Sequence, residues 1–345
     1  MRVLVARMDN LGDVLLAGPA IRAVAERADE VALLCGPRGR AAADMLPGVD
    51  RVLEWCAPWI DPEPEPVDPA EIERLTRMVR GFDRALIFTS FHQSPLPLAL
   101  VLRLAGVGWI GAVSADYPGS LLDLRLKLDE SGTETGQGDI PETKRMLALA
   151  AEAGFPSPAD TRLRVREPLP DVSGLTGTPP GERGYVVVHP GTSVPARAWP
   201  AERCAEAVRL LAAAGHRVLV TGHHQEKDLT ARVAGDIGVD LGGRTSLTEL
   251  AAVLAGARVV VVGNTGPAHL AAAVGTPVVS LFAPTVPAAR WAPYGVPTVL
   301  LGDPNSPCKD SRARVCPVPG HPCLASVTGR QVVAAVEHLM EVAPR

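Results

Sequence analysis

The chain has 345 residues, 47% of them hydrophobic but only 4% aromatic, and a formal net charge of −4. That length makes two domains the expectation, and the shortage of aromatics demands an aliphatic core. Nucleic acid as a main partner is disfavoured because no basic block is present, and no apolar run of about twenty residues offers a membrane span.

The opening MRVLVARMDN is too short, and polar too soon, for a secretory signal. It reads as a strand over residues 3–6, and the protein reads as cytoplasmic. A helix is predicted over 18–27, a strand over 30–34, a helix over 40–45 and a short strand over 52–54. The Pro- and acid-rich APWIDPEPEPVDP (57–69) reads as a surface loop. There follow a helix over 70–80, a strand over 84–88, a helix over 95–105 and a strand over 109–112. A loop with Gly132, Gly136 and Gly138 leads to a helix over 141–153. REPLPDVSGLTGTPPGER (166–183) shows no period and reads as a linker. Beyond it the alternation restarts, with strands over 185–189, 217–221, near 239, 259–262 and 278–282. Helices are predicted over 201–214, 226–236, 247–255, 267–273 and 331–342, and 302–325 reads as irregular.

Strand–helix alternation predicts an α/β fold of parallel sheets with right-handed crossovers. We read a first domain over 1–165, the linker, a second domain over 184–328, and a last helix within 329–345 that is free to pack back on the first domain. Ligands of such sheets bind beyond the carboxyl ends of the strands, so the βα loops are where chemistry is sought.

YVVVHPGTSVPARAWP (185–200) ends a strand in small residues. Thr192 and Ser193 offer hydroxyls and Arg197 a fork suited to phosphate; a plain βα loop with a surface Arg is the alternative. In VVVVGNTGPAHL (259–270) a buried strand meets a helix at Asn264-Thr-Gly-Pro. The N–H groups of Thr265, Gly266 and Ala268, with His269 in the first turn, suit an anion at the positive end of a helix. A histidine bonded only to backbone is the competing reading. Two such loops suit a diphosphate better than a monophosphate. Glu226 follows another strand, where it could accept from ribose hydroxyls or simply favour a first helical turn. Ser246 and Glu249 have capping-box spacing, and a base could pack beside Thr245–Leu247. Gly12-Asp13 lies on the first βα turn, where Asp13 could cap the helix or take a proton from an attacking hydroxyl.

Two patterns are set aside. Gly106-Val-Gly-Trp-Ile-Gly111 matches GxGxxG but follows a helix and precedes a strand, the reverse of the dinucleotide context. Cys308, Cys316 and Cys323 with His321 lack close CxxC pairs, so a metal is disfavoured, as it is for His223-His224. Cys35, Cys56 and Cys204 read as buried free thiols. No Asp-x-Asp pair is present to clamp a metal-bound diphosphate.

Leu11-Gly-Asp-Val14, His189-Pro-Gly-Thr-Ser193 with Arg197 and Trp199-Pro200, Asn264-Thr-Gly-Pro-Ala-His-Leu270 and Leu281-Phe-Ala-Pro-Thr285 occur in this order and spacing. With them the chain resembles, over nearly its whole length, glycosyltransferase family 9, the bacterial ADP-heptose heptosyltransferases. The resemblance implies a GT-B architecture, two Rossmann-like domains facing across a cleft, with acceptor on the first and nucleotide sugar on the second. It implies inversion without a metal or other cofactor. Asp13, on the turn made by Gly12, would be the general base. Thr192, Ser193, Arg197, Thr265, Gly266 and His269 would hold the donor phosphates. Glu226 would bind ribose, Thr245, Ser246 and Leu247 would line the nucleobase, and Asn264 would face the donor sugar. Arg197 stands where the family usually has lysine, and Asn264 where it often has aspartate. Basic acceptor-facing residues are not clearly matched; Arg38, Arg40 and His92 are the candidates. The partners implied are a nucleotide-sugar donor and a glycan or glycoside acceptor, with peripheral membrane contact left open. A nucleotide-sugar epimerase of the same fold, or a non-catalytic nucleotide-binding module, is the alternative.

Overall fold

The computed structural model describes residues 1–90, 93–127 and 140–342. The loop glycines 132, 136 and 138, and His92, lie outside them. Two units are separated between Val165 and Arg166.

In the first unit six parallel strands, β1 (Arg2–Ala6), β2 (Glu30–Cys35), β3 (Arg51–Glu54), β4 (Arg84–Ile87), β5 (Trp109–Val113) and β6 (Leu124–Leu126), lie in the order β3-β2-β1-β4-β5-β6. Val5 pairs with Leu33 on one side and Leu86 on the other. These central residues are fully buried, as expected of a parallel sheet covered on both faces. Chain order reverses between β1 and β4, so the loops after these two strands flank the switch point of the sheet.

The second unit repeats the plan with β7 (Tyr185–His189), β8 (Val218–Val220), β9 (Val239–Asp240), β10 (Ala257–Gly263), β11 (Val278–Leu281) and β12 (Thr298–Leu301), ordered β12-β11-β10-β7-β8-β9. Its switch point lies between β7 and β10. The run Val259–Val262 has no exposed surface, and each such side chain contributes about 1.5–3 kcal/mol on burial. The last helix, Gly329–Val342, buries Val332, Val336 and Leu339 in the core of this second unit, against helix Ala201–Ala213.

Several elements differ from the sequence reading. The first helical segment begins at Leu11, so Gly12 and Asp13 are helical, and a second helix covers Gly18–Ala25. Strands β6 and β12 were not anticipated. Both are sheet-edge strands with few fully buried residues, so their patterns carry little burial signal. A short helix, Ser173–Thr176, interrupts the linker and buries Thr176. Another, Pro322–Ala325, lies in the segment read as irregular. Gly106 takes φ +87° just beyond helix Leu96–Leu104, so that glycine ends a helix and does not open one. Cys35 and Cys204 are buried and their thiols are pushed up to about 12, mainly by burial. Cys56, expected to be buried, is exposed.

Candidate active site

In the first unit Asn10, not Asp13, occupies the cap position of helix Leu11–Leu16, and it makes no side-chain cap bond. Asp13 stands in the first turn, inside the helix and not at its cap position. Its Oδ1 accepts from Arg7 Nη2 at 2.9 Å. Arg7 emerges from the end of β1 with no exposed surface, and its Nε lies 3.0 Å from Asp9 Oδ2. The loop after β4 closes round the same guanidinium: Ser90 Oγ accepts from Nη2 at 3.1 Å, and Gln93 Nε2 donates to Asp9 Oδ1 at 2.5 Å. Glu142 and Arg145, buried on helix Glu142–Glu152, pair at 3.3 Å nearby. Thr143 Oγ1 on that helix donates to the Leu16 carbonyl at 3.0 Å, which ties it to the helix carrying Asp13. Burial pushes Asp9 up, and Arg7 opposes that shift. Arg38 and Arg40 are engaged with acidic neighbours, Arg38 with Asp61 and Arg40 with Asp44.

In the second unit the expected donor loops converge on the switch point. After β7, Thr192 Oγ1 accepts from the Val194 N–H at 3.2 Å, which folds the loop back, and Ser193 is exposed. Trp199 anchors the loop through Nε1, which donates to the Val327 carbonyl at 3.3 Å. Gly263, ending β10, lets the Arg197 carbonyl approach: a Cβ there would stand 3.2 Å from that oxygen. The loops bearing Arg197 and Asn264 thus meet closely at residue 263, where a side chain would press on backbone.

Asn264 is buried, and its Nδ2 finds no hydrogen-bond partner among the described residues. Thr265 precedes helix Gly266–Ala273 in an extended conformation, and its hydroxyl does not cap the helix. His269 is buried in that helix. The Ala268 N–H, expected to point at an anion, instead donates to the Thr265 carbonyl at 3.0 Å, because the helix is already wound there. The Ala268 N–H is therefore used within the helix, contrary to the sequence reading. Thr285, in the segment after β11, adds a buried hydroxyl with no partner among the described residues.

Glu226 comes from the loop after β8. Its Oε2 accepts from the His223 N–H at 2.7 Å. Its carboxylate also covers Gly191, where a Cβ would stand 2.0 Å from Oε1. His189 ends β7, with Nδ1 2.9 Å from Thr221 Oγ1. Burial lowers its pKa to about 4, opposed by the Glu226 carboxylate. Ser246 caps helix Leu247–Ala255: its Oγ accepts from the Glu249 N–H at 3.3 Å, and Glu249 Oε2 accepts from the Ser246 N–H at 2.7 Å. That hydroxyl is committed to the cap. Thr245 and Leu247 flank it, each partly exposed.

The cysteines near residue 316 approach one another. Cys323 is pushed up to about 11, chiefly by burial and then by Cys308 and Cys316. His321 turns its Nε2 to the Ala196 carbonyl at 3.1 Å. Among the described residues no group of three or more His, Cys, Asp or Glu side chains is arranged to hold a metal ion. No described helix is long and apolar enough to cross a membrane.

Sequence reasoning missed Arg7, Ser90 and Gln93. The available signal was a charged residue at the end of a fully apolar strand, which must find its counter-charge inside the fold.

Residues 115–321 match the model of glycosyltransferase family 9 (heptosyltransferase). No curated protein matches the chain. Among solved structures, a family 9 glycosyl transferase from Veillonella parvula is similar with a TM-score of 0.76 at 15% identity, over 99% of this chain and 97% of that one. The Escherichia coli ADP-heptose lipopolysaccharide heptosyltransferase II is similar at 0.72 and 19% identity, over 99% of both chains. E. coli heptosyltransferase WaaC with ADP gives 0.69 and 20%, over 98% of this chain and 100% of that one. The two parallel sheets with flanking helices are the GT-B plan of these structures.

Proposed function

Since the chain belongs to glycosyltransferase family 9, the heptosyltransferases, and is a glycosyltransferase by that membership, we propose that it moves a heptosyl group from an ADP-linked donor to a hydroxyl of a glycan or glycoside. Transfer inverts the anomeric centre in one displacement and uses no metal.

In this reading the second unit holds the donor. Arg197, Thr192, Ser193, the N–H groups of Thr265 and Gly266, and His269 neutralise the diphosphate. Glu226 accepts from the ribose, Thr245–Leu247 line the base, and Asn264 donates to the sugar. Asp13, on the first unit, takes the proton of the attacking hydroxyl. As the glycosidic bond to phosphate breaks, the electron pair leaves with ADP, whose charge Arg197 and the N–H groups meet.

The observation that carries the reading is the meeting of three βα loops at the second switch point. Glu226 lies on Gly191 and the Arg197 carbonyl lies against Gly263, and the neighbouring Asn264 has an Nδ2 without a partner among the described residues. A buried amide without a partner costs about 1–3 kcal/mol, a cost a bound sugar would remove.

The test is the slow reaction of ADP-β-heptose with water, followed by proton NMR. Release of ADP with the α-heptose formed first supports an inverting transferase. Conversion to another ADP-sugar without ADP release would overturn it in favour of an epimerase.

A further inference from the structure

His189 and Thr221 stand at the carboxyl ends of two neighbouring strands of the second unit, β7 and β8. The Thr221 N–H donates to the Val188 carbonyl at 3.0 Å, which extends the ladder between these strands and sets the two residues side by side. His189 Nδ1 lies 2.9 Å from Thr221 Oγ1, so one side of the ring is anchored. The Glu226 carboxylate fills the notch just beyond this pair. Gly191 and Gly222 leave room for it: a Cβ would stand 2.0 Å from Oε1 at residue 191 and 3.2 Å from Oε2 at residue 222. We propose that His189 is a second reader of the nucleotide's ribose, its Nε2 meeting one hydroxyl of the diol whose other hydroxyl is held by Glu226. The inference rests on the reading of the second unit as the nucleotide site, and it names a specificity residue within that site.

The two strand-end residues differ in exposure. Thr221 has no exposed surface, whereas His189 keeps 7%. Burial holds the ring neutral, with a pKa of about 4. A cationic ring beside Glu226 would form an ion pair and compete with a ligand for the carboxylate. A neutral imidazole does not. It has one donor and one acceptor nitrogen, and Thr221 takes Nδ1. The direction of the Thr221 hydroxyl then decides whether Nε2 donates or accepts.

A ribose hydroxyl suits either case, because a hydroxyl both donates and accepts. Glu226 can only accept, and its Oε2 already takes the His223 N–H at 2.7 Å. An acceptor-only group beside a ring nitrogen therefore matches a vicinal diol. Pairing at Nδ1 also fixes where Nε2 points, so little order is lost when the nucleotide binds.

The test is calorimetry of the full chain with ADP, 2′-deoxy-ADP, 3′-deoxy-ADP and inorganic diphosphate. The natural chain prefers ADP over each deoxy analogue by about tenfold, as for one lost hydrogen bond. His189→Asn keeps an amide near the Nδ1 position and places nothing at Nε2. Its preference for ADP over one of the two analogues disappears, while its affinity for diphosphate is unchanged. His189→Gln, whose amide reaches the Nε2 position, keeps more of that preference. A histidine acting only through Thr221 would show the reverse order. Thr221→Val keeps the ring but loosens it. It lowers the same preference, and it decides the matter if His189→Asn does not fold. ADP binding with an unchanged preference in folded His189→Asn, or in Thr221→Val, overturns the inference and leaves the nucleotide site standing. A natural chain that binds no ADP overturns the reading of the second unit and the inference with it.

Discussion

Gly191 and Glu226 are in contact so close that a side chain at residue 191 would have to displace the carboxylate: a Cβ would stand 2.0 Å from Glu226 Oε1. The contact joins the loop after β7 to the loop after β8. It fixes a carboxylate whose other oxygen is held by the His223 N–H.

Gly191→Ala therefore displaces a flexible carboxylate rather than backbone. The fold should survive with a loss of about 1 kcal/mol, the size of a lost cap. Affinity for ADP, read by calorimetry, should fall roughly tenfold, as for one lost hydrogen bond to a charged group. An unchanged affinity would remove Glu226 from the nucleoside site.

Stability should depend on pH through His189. Its folded pKa is lowered to about 4, while the unfolded chain takes up the proton near 6.5. Between these values the unfolded state binds more protons, so the contribution is complete above about pH 6.5 and is lost as pH falls toward 4. Urea unfolding at pH 7.5 and 4.5 should show the natural chain losing about 2–3 kcal/mol more than His189→Gln does. Equal losses would mean that His189 is not held neutral.

Ser246→Ala should cost about 1 kcal/mol by removing the cap of helix Leu247–Ala255, seen as a lower melting temperature. No loss would mean that the Ser246–Glu249 capping box does not stabilise that helix in solution.

The alternation of strands and helices was legible because the central strands are nearly uninterrupted apolar runs, such as Val259–Val262. The capping box at Ser246 was legible because its partner lies three residues on. The strands β6 and β12 were not legible, because an edge strand is partly solvated and short. Nor was the cluster round Arg7: Ser90, which accepts from Arg7, and Gln93, which donates to Asp9, lie more than eighty residues away, and only the adjacency of β1 and β4 brings them to it. The Asn264-Thr-Gly turn was visible as a loop, but which N–H groups the helix uses internally depends on where helix Gly266–Ala273 begins. Asp13 had two readings in sequence, cap or base, and the helix begins early enough that Asn10, not Asp13, stands at the cap position.

The central claim is that nucleotide binding and proton abstraction are carried by different units of the chain. Calorimetric titration of ADP into the natural chain, Arg197→Ala and Asp13→Ala, with EDTA present, tests it most directly. The account predicts ADP binding without metal, weakened about 10- to 100-fold in Arg197→Ala, the size of a charge-assisted contact, and unchanged in Asp13→Ala. ADP binding lost in Asp13→Ala but kept in Arg197→Ala would contradict it.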